Sequence, residues 1–346
     1  MKKPSTFQTV VMMFIFTASV YAQTSQSTYS VVDRIHLPGE TFWDYLNIDP
    51  ASGNLYVSRG TMVQVVNINS KKLVGTIPDT KGVHGIALAA DLDKGFVSDG
   101  ADSSVTVFDM KTLSVIEKIA VTGRDPDAIL YDPFTHRVFT CNGRSSNSTV
   151  IDAKTDKVIG TIPLSGGPEF CASDGAGMIY INIEDKSEID AIDPAAMKVE
   201  HVWPLAPGES PSGLALDAKN HRLFSVCHNK EMVVLNALDG KVITALPIDG
   251  RVDGAAFDPE LMRTFSSNGE GTLTVVQEVS PDSFTVIQNL QTQVSARTVT
   301  IDPVTHHLYL SAADFNPPPQ ATADNPRPRP SMKPNSFVVL EVAPAK

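Results

Sequence analysis

Cysteine is scarce in this chain: Cys141, Cys171 and Cys227 are the three in 346 residues. They are too few and too scattered for a disulfide framework or a CxxC metal site. In an oxidising compartment one bridge is open to them, and Cys141 with Cys171 is the favoured pair because the two fall on neighbouring repeats, leaving Cys227 as a buried thiol. Helix-period segments with caps are absent, which argues against a helical core. No GxSxG, HExxH or phosphate-binding glycine loop occurs, so common hydrolase and nucleotide chemistries have no motif to rest on. Basic residues are outnumbered, 28 Lys and Arg against 39 Asp and Glu. An acidic field of that sign disfavours binding to duplex nucleic acid.

One short apolar run exists, at residues 10–20, after the basic start Met1-Lys2-Lys3 and before Val20-Tyr21-Ala22. That order matches a secretory leader, so residues 1–22 are expected to be a signal peptide and 23–346 a single exported domain, whether periplasmic, surface-held or secreted. The run is too short for an ordinary membrane span, and no later segment nears the ~18 to 20 apolar residues that one needs. Loss of Lys2 and Lys3 leaves 26 basic against 39 acidic side chains, a formal net charge of −13.

A repeat organises the rest. Seven short segments carry an aromatic at one fixed place: Tyr56, Phe96, Phe139, Tyr180, Phe224, Phe265 and Tyr309. Their spacings are 40, 43, 41, 44, 41 and 44 residues, a period typical of a propeller blade. Many are preceded by an Asp-Pro turn, as in Asp49-Pro50, Asp132-Pro133, Asp258-Pro259 and Asp302-Pro303. Each is followed by alternating segments such as Ser104-Val105-Thr106-Val107-Phe108-Asp109 and Lys157-Val158-Ile159-Gly160-Thr161-Ile162. Period-two alternation bounded by Asp, Asn, Gly and Pro predicts antiparallel strands, four per repeat. The fold class is therefore all-β: a seven-bladed β-propeller of four-stranded antiparallel blades around a channel. The last repeat stops after a third strand at 336–342, while 30–37 reads as a spare strand before the first repeat. Closure by the N-terminal strand pairing into the last blade follows.

Tyr56-Val57-Ser58, Phe96-Val97-Ser98, the Asp-Pro turns and endings such as Asp152-Ala153-Lys154-Thr155 through Ile162 resemble the YVTN-type, YncE-like β-propeller family of exported bacterial and archaeal proteins. The resemblance spans nearly the whole of 23–346. It implies the architecture but no single reaction.

Counting back twelve residues from each aromatic, or eleven in the fourth repeat, gives Asp44, His84, Asp127, Glu169, Ser212, Asp253 and Arg297. These positions open the innermost strands, so repetition should gather them as a ring at one mouth of the channel. One reading is a ligand-binding ring that holds a cation, orients a polar ligand or supplies an acid/base pair; the other is a water-filled channel lined by incidental polar residues. No metal is assigned, because Asp44, Asp127, Glu169 and Asp253 come from separated blades and a hard cation needs six or more oxygens. His136, His221 and His306 share one repeat position in a turn on the opposite face and read as turn residues, which leaves His84 and the loop residue His228 as the histidines to test.

A proline-rich insertion, 316–334, interrupts the last blade and suits an extended, weakly packed segment beside the channel mouth. Either it is a tolerated loop, or its Arg327, Arg329 and Lys333 face the acidic ring or an acidic partner.

Function follows less directly. The first reading is a non-catalytic binding or scaffold protein that engages a protein, polymer or small ligand at the funnel face, as a monomer since a closed ring has no free sheet edge. The alternative is a metal-dependent hydrolase resembling the gluconolactonase-like propellers, with Glu169, Asp253, Asn142 and Asn268 as the right chemical types. No cofactor is indicated.

Overall fold

Burial is greatest in the second strand of each repeat and falls off toward its outer edge, and this explains why the strands differ in composition. The aromatic segments, such as Asn54–Arg59 and Arg222–Cys227, are almost wholly buried on both faces. The third strands, such as Glu231–Asn236, are buried except at their ends. The fourth strands, such as Val115–Ala120 with Glu117 and Lys118, are largely exposed. Strands covered on both sides by neighbouring blades read as apolar runs; the outer ones tolerate charge.

The computed structural model describes residues 28–322, 326 and 328–345. The expected leader at 1–22 and Arg327 lie outside the described residues. Seven four-stranded antiparallel sheets form the ring, six of them in simple chain order. Blade 1 comprises Leu46–Asp49, Asn54–Arg59, Met62–Asn67 and Lys72–Ile77. Blade 7 breaks the order: Val299–Asp302, His307–Ala312 and Val338–Pro344 are completed on the outside by the N-terminal strand Tyr29–His36. Tyr29 lies opposite Pro344 and His36 opposite Val338, with one bulge between Val31 and Asp33. The expected closure is thus realised.

All seven repeat aromatics are 2% exposed or less, wedged between adjacent blades. Truncation of such a ring to alanine typically costs about 3–5 kcal/mol. Three residues before each aromatic the chain passes through the left-handed region, at Gly53, Asp93, His136, Gly177, His221, Met262 and His306. Asp and His are among the non-glycine residues that accept such a conformation, so the recurrent histidines are turn residues, as expected.

The blade 7 to blade 1 junction is clamped by Arg59. Its buried guanidinium stacks 3.6 Å from the centroid of Phe337 and donates to the Gly39 carbonyl at 2.7 Å. Gln64 accepts from Arg59 and donates to the Pro38 carbonyl, so the linker between the N-terminal strand and blade 1 is held on both sides.

The proline-rich insertion joins the second and third strands of blade 7, as expected, but its base is packed. Phe315 bridges to Met332, and Met332 is buried against the core that contains Trp43 and Phe337. The expected Cys141–Cys171 bridge is absent: all three cysteines are buried free thiols. Cys141 and Cys171 do meet, and the hydrogen bond between them, followed by burial, holds the Cys141 thiol well above its ordinary range. Disulfide chemistry needs a thiolate, and this environment withholds it. Among the described residues no helix is long and apolar enough to cross a membrane.

Candidate functional site at one mouth of the channel

The inner strands enter the channel through a repeated backbone device. Two residues before the ring position the chain turns left-handed at Gly82, Asp125, Ser210, Arg251 and Ser295. A β-bulge follows in blades 2 to 6: Val83 faces Asp99 but Ile86 faces Val97, and the same slip recurs at Pro126, Pro168, Pro211 and Val252. The extra residue falls at or beside His84, Asp127, Glu169, Ser212 and Asp253. Bulges of this kind re-aim a side chain out of the ladder, and here they turn the predicted positions toward the mouth.

Serines two places after the aromatic fix the backbone beneath. Ser58 accepts from the Asp44 amide at 2.7 Å, Ser98 accepts from Gly85 and donates to the Asp127 carbonyl, and Ser267 donates to the Arg297 carbonyl. Cys141 takes the same repeat position in blade 3. The Ser in Tyr-Val-Ser and Phe-Val-Ser was visible in the sequence but read as architecture only.

The side chains then join across blades. Ser212 donates to Asp253 at 2.8 Å. Arg297 donates to Asp253 with one nitrogen, and with the other to Asp44 at 3.1 Å and to the Trp43 carbonyl. His84 Nδ1 lies 2.6 Å from Asp44 and 3.6 Å from Asp127. Beyond His84, Asp125 pairs with Arg144 at 2.8 Å, a second layer that the repeat count did not single out.

Glu169 makes no hydrogen bond among the described residues, and Asp127 Oδ1 is buried without one, its nearest charge being His84 at 3.6 Å. All seven predicted positions therefore reach one mouth, but unequally. Asp253, Arg297 and Asp44 are saturated by each other, while Asp127 and Glu169 hold unused hydrogen-bonding capacity. His228 stands apart, 3.7 Å from Glu184.

Protonation follows the same division. Burial, then the charges of Asp127, Glu184 and Asp44, push the Glu169 carboxyl up to about 9. Burial and the Asp44 charge raise Asp127 to about 7, against the opposing charge of His84. Burial pulls His84 down, but its bond to Asp44 and the surrounding carboxylates win and raise it to about 9. Near neutral pH Glu169 thus keeps its proton and can donate, Asp127 sits well above the ordinary carboxylate range, and His84 is a cation held between two acids.

Below the ring the channel wall is largely apolar. Tyr45 and Phe170 pack 4.9 Å apart, and the inner strands enclose a cavity of ≈ 370 Å³ lined mainly by Ala, Leu and Ile. The residues suggested for a hydrolase do not assemble. Asn142 is satisfied by Thr140, Asn147 and Thr149 of its own blade, and Asn268 by Ser266, Thr272 and Thr274 of its own. Ser212 has Asp253 for a partner rather than a histidine, so no nucleophile–base pair forms. What does converge is Asp44, His84 and Asp127, whose ligand atoms lie within 4.8 Å of one another. These three are closer than the blade separation suggested.

No family model and no curated protein matches the chain. Solved structures do. Hydrazine synthase of Kuenenia stuttgartiensis superposes with a TM-score of 0.70 at 17% identity, over 85% of this chain and 95% of that one. A chain in the crystal structure of the mitotic checkpoint complex superposes with a TM-score of 0.74 at 12% identity, over 98% and 100%. Likeness at such identity is a likeness of fold alone.

Proposed function

We propose that this chain is an exported, monomeric binding protein of the YVTN-type propeller kind, which holds a neutral polar ligand at the Asp127–Glu169 side of its channel mouth. One observation carries the reading: within a ring whose other side chains are bonded to one another, an Asp127 oxygen that takes no hydrogen bond and faces only His84 at 3.6 Å, and a Glu169 held protonated, occupy successive blades. A group that offers donors to Asp127 and accepts from Glu169, such as a polyol or an amide, complements them. The basic start and apolar run ahead of Gln23 support export.

Thermal unfolding against a panel of sugars, polyols and amides tests the reading. A compound that raises the melting temperature of the native protein but not of an Asp127→Asn, Glu169→Gln variant supports it, since a ligand selective for the folded state must stabilise that state. Equal stabilisation of both proteins, or none across the panel, refutes it.

The cluster of Asp44, His84 and Asp127 supports a second reading, a divalent cation, which would have to displace the His84 proton and compete with Arg297 for Asp44. Stabilisation by Zn²⁺ or Mn²⁺ that is lost in His84→Gln would favour it, and a metal-dependent turnover of lactones would revive the hydrolase.

A further inference from the structure

Beside the ring, on the outer side of Arg297, lies a second cavity of ≈ 460 Å³ between the blade 6 and blade 7 loops and the proline-rich insertion. One wall is aromatic. Phe315 stacks on Trp43 at 5.8 Å and on Phe42 at 6.4 Å, and Phe42 is about half exposed although it belongs to this stack. Val294, 58% exposed, extends the apolar surface. Arg251, Arg297 and Arg329 line the same cavity.

Charge bookkeeping separates these three guanidinium groups. Arg297 is matched by Asp44 and Asp253. Neither Arg251 nor Arg329 forms a salt bridge among the described residues, although Arg251 lies near enough to join the Gly250 amide and Lys230 in holding the exposed Glu270 carboxyl down, and among those residues no Asp or Glu lines the cavity. In a chain with eleven more negative than positive charges, a cavity lined by three arginines and no described acid is a local reversal of sign. Such a site rewards an anion, and the planar guanidinium fork suits a carboxylate. The stacked rings reward a flat apolar body.

We infer that this cavity is a binding site for a small aromatic carboxylate, its ring against Trp43 and Phe315 and its carboxylate between Arg251 and Arg329. The volume is in the range of small-molecule sites and admits one or two fused rings. The insertion then has a task that the bare repeat does not require: it brings Arg329 to a wall otherwise built by blades 1, 6 and 7. The inference does not rest on the ring reading, because its two decisive arginines lie outside the ring.

Titration calorimetry with 2-naphthoate, set against its neutral counterpart 2-naphthalenemethanol, decides the matter. Saturable 1:1 binding of 2-naphthoate is expected, at least about ten-fold tighter than the alcohol. Arg251→Gln and Arg329→Gln should each weaken it by about ten-fold or more, with Arg251→Lys recovering part of the loss. Unchanged melting temperatures for these variants confirm that the fold is intact. Absence of 2-naphthoate binding, equal affinity for the alcohol, or indifference to both arginine substitutions overturns the inference. Binding that is insensitive to the arginines but abolished by Asp127→Asn, Glu169→Gln places the molecule in the ring, which also overturns it while leaving the ring reading alive.

Discussion

The two mouths of the channel are built from the same residue type used in opposite ways. On the turn side the aspartates of the Asp-Pro turns hold their own turn first: Asp132 accepts from the Thr135 amide and hydroxyl, Asp258 from the amides of Glu260 and Leu261, and Asp302 from Val304 and Thr305. These bonds span two or three residues, and the remaining oxygens of Asp132 and Asp258 reach Ser173 and His306 of the next blade. On the ring side Asp44, Asp127 and Asp253 are partnered by side chains from other blades, about forty residues away or across the closure of the ring. A carboxylate that caps a turn finds its first partners wherever that turn folds. One that waits for another blade is satisfied only by the finished ring, where Asp127 and Glu169 keep unused hydrogen-bonding capacity. The turn mouth is organised first by its own turns, the ring mouth by its neighbours.

Substitutions at the two mouths sharpen this contrast. Asp132→Ala should have the largest effect, a loss of about 2–3 kcal/mol in urea unfolding, because its fully buried carboxylate holds the turn and also accepts from Ser173 of the next blade. Ligand affinity at the ring should not change in that variant; a parallel loss of binding would break the comparison. Arg297→Met should cost about 1–2 kcal/mol, a moderate figure because the guanidinium is partly exposed while Asp44 and Asp253 lose a common partner. A variant as stable as the native protein would show that the ring's ion pairs contribute nothing to the fold.

Protonation gives a smaller and directional test. The folded-state values of Asp127, Glu169 and His84 are all raised, to about 7, about 9 and about 9. The native protein therefore holds protons that the unfolded chain has released, and its stability must fall as pH rises through these values. Melting temperature should decline from about pH 5 to about pH 9, and Glu169→Gln should flatten the upper part of that decline. A melting temperature that climbs over this interval would contradict the buried, protonated Glu169. Smallest of all should be Cys141→Ser, with a change under about 1 kcal/mol, since Ser58, Ser98 and Ser267 occupy the same repeat position in other blades. A large loss there would mean that the thiol pair with Cys171 carries structural weight that its sister positions do not share.

Much of the turn mouth was legible in the sequence, because local bonds leave local signatures: Asp-Pro, a tolerant residue before the aromatic strand, and a fixed period. The ring was legible as a set of positions, since repetition alone places Asp44 through Arg297 in equivalent settings. Its pairing was not. Whether Arg297 meets Asp253, Asp44 or both depends on bulges that shift the inner strands by one residue and leave no mark in composition. The apolar cavity below the ring left no separate signature either, because residues such as Ala128, Leu214 and Ala255 look the same in a packed core as along a channel wall. The expected disulfide failed because neighbouring repeats bring two cysteines together without supplying the chemistry to join them.

The closing strand has a consequence for how the molecule comes into being. Tyr29–His36 can pair only with Val338–Pro344, a partner some three hundred residues downstream. Six blades can form from consecutive strands, yet Tyr29–His36 has nothing to bind until Val338–Pro344 is in place. Loop closure of that length is entropically slow to initiate but only weakly penalised per added residue. The ring therefore closes in a step that must wait for Val338–Pro344, so any truncation ahead of that strand leaves Tyr29–His36 without its partner.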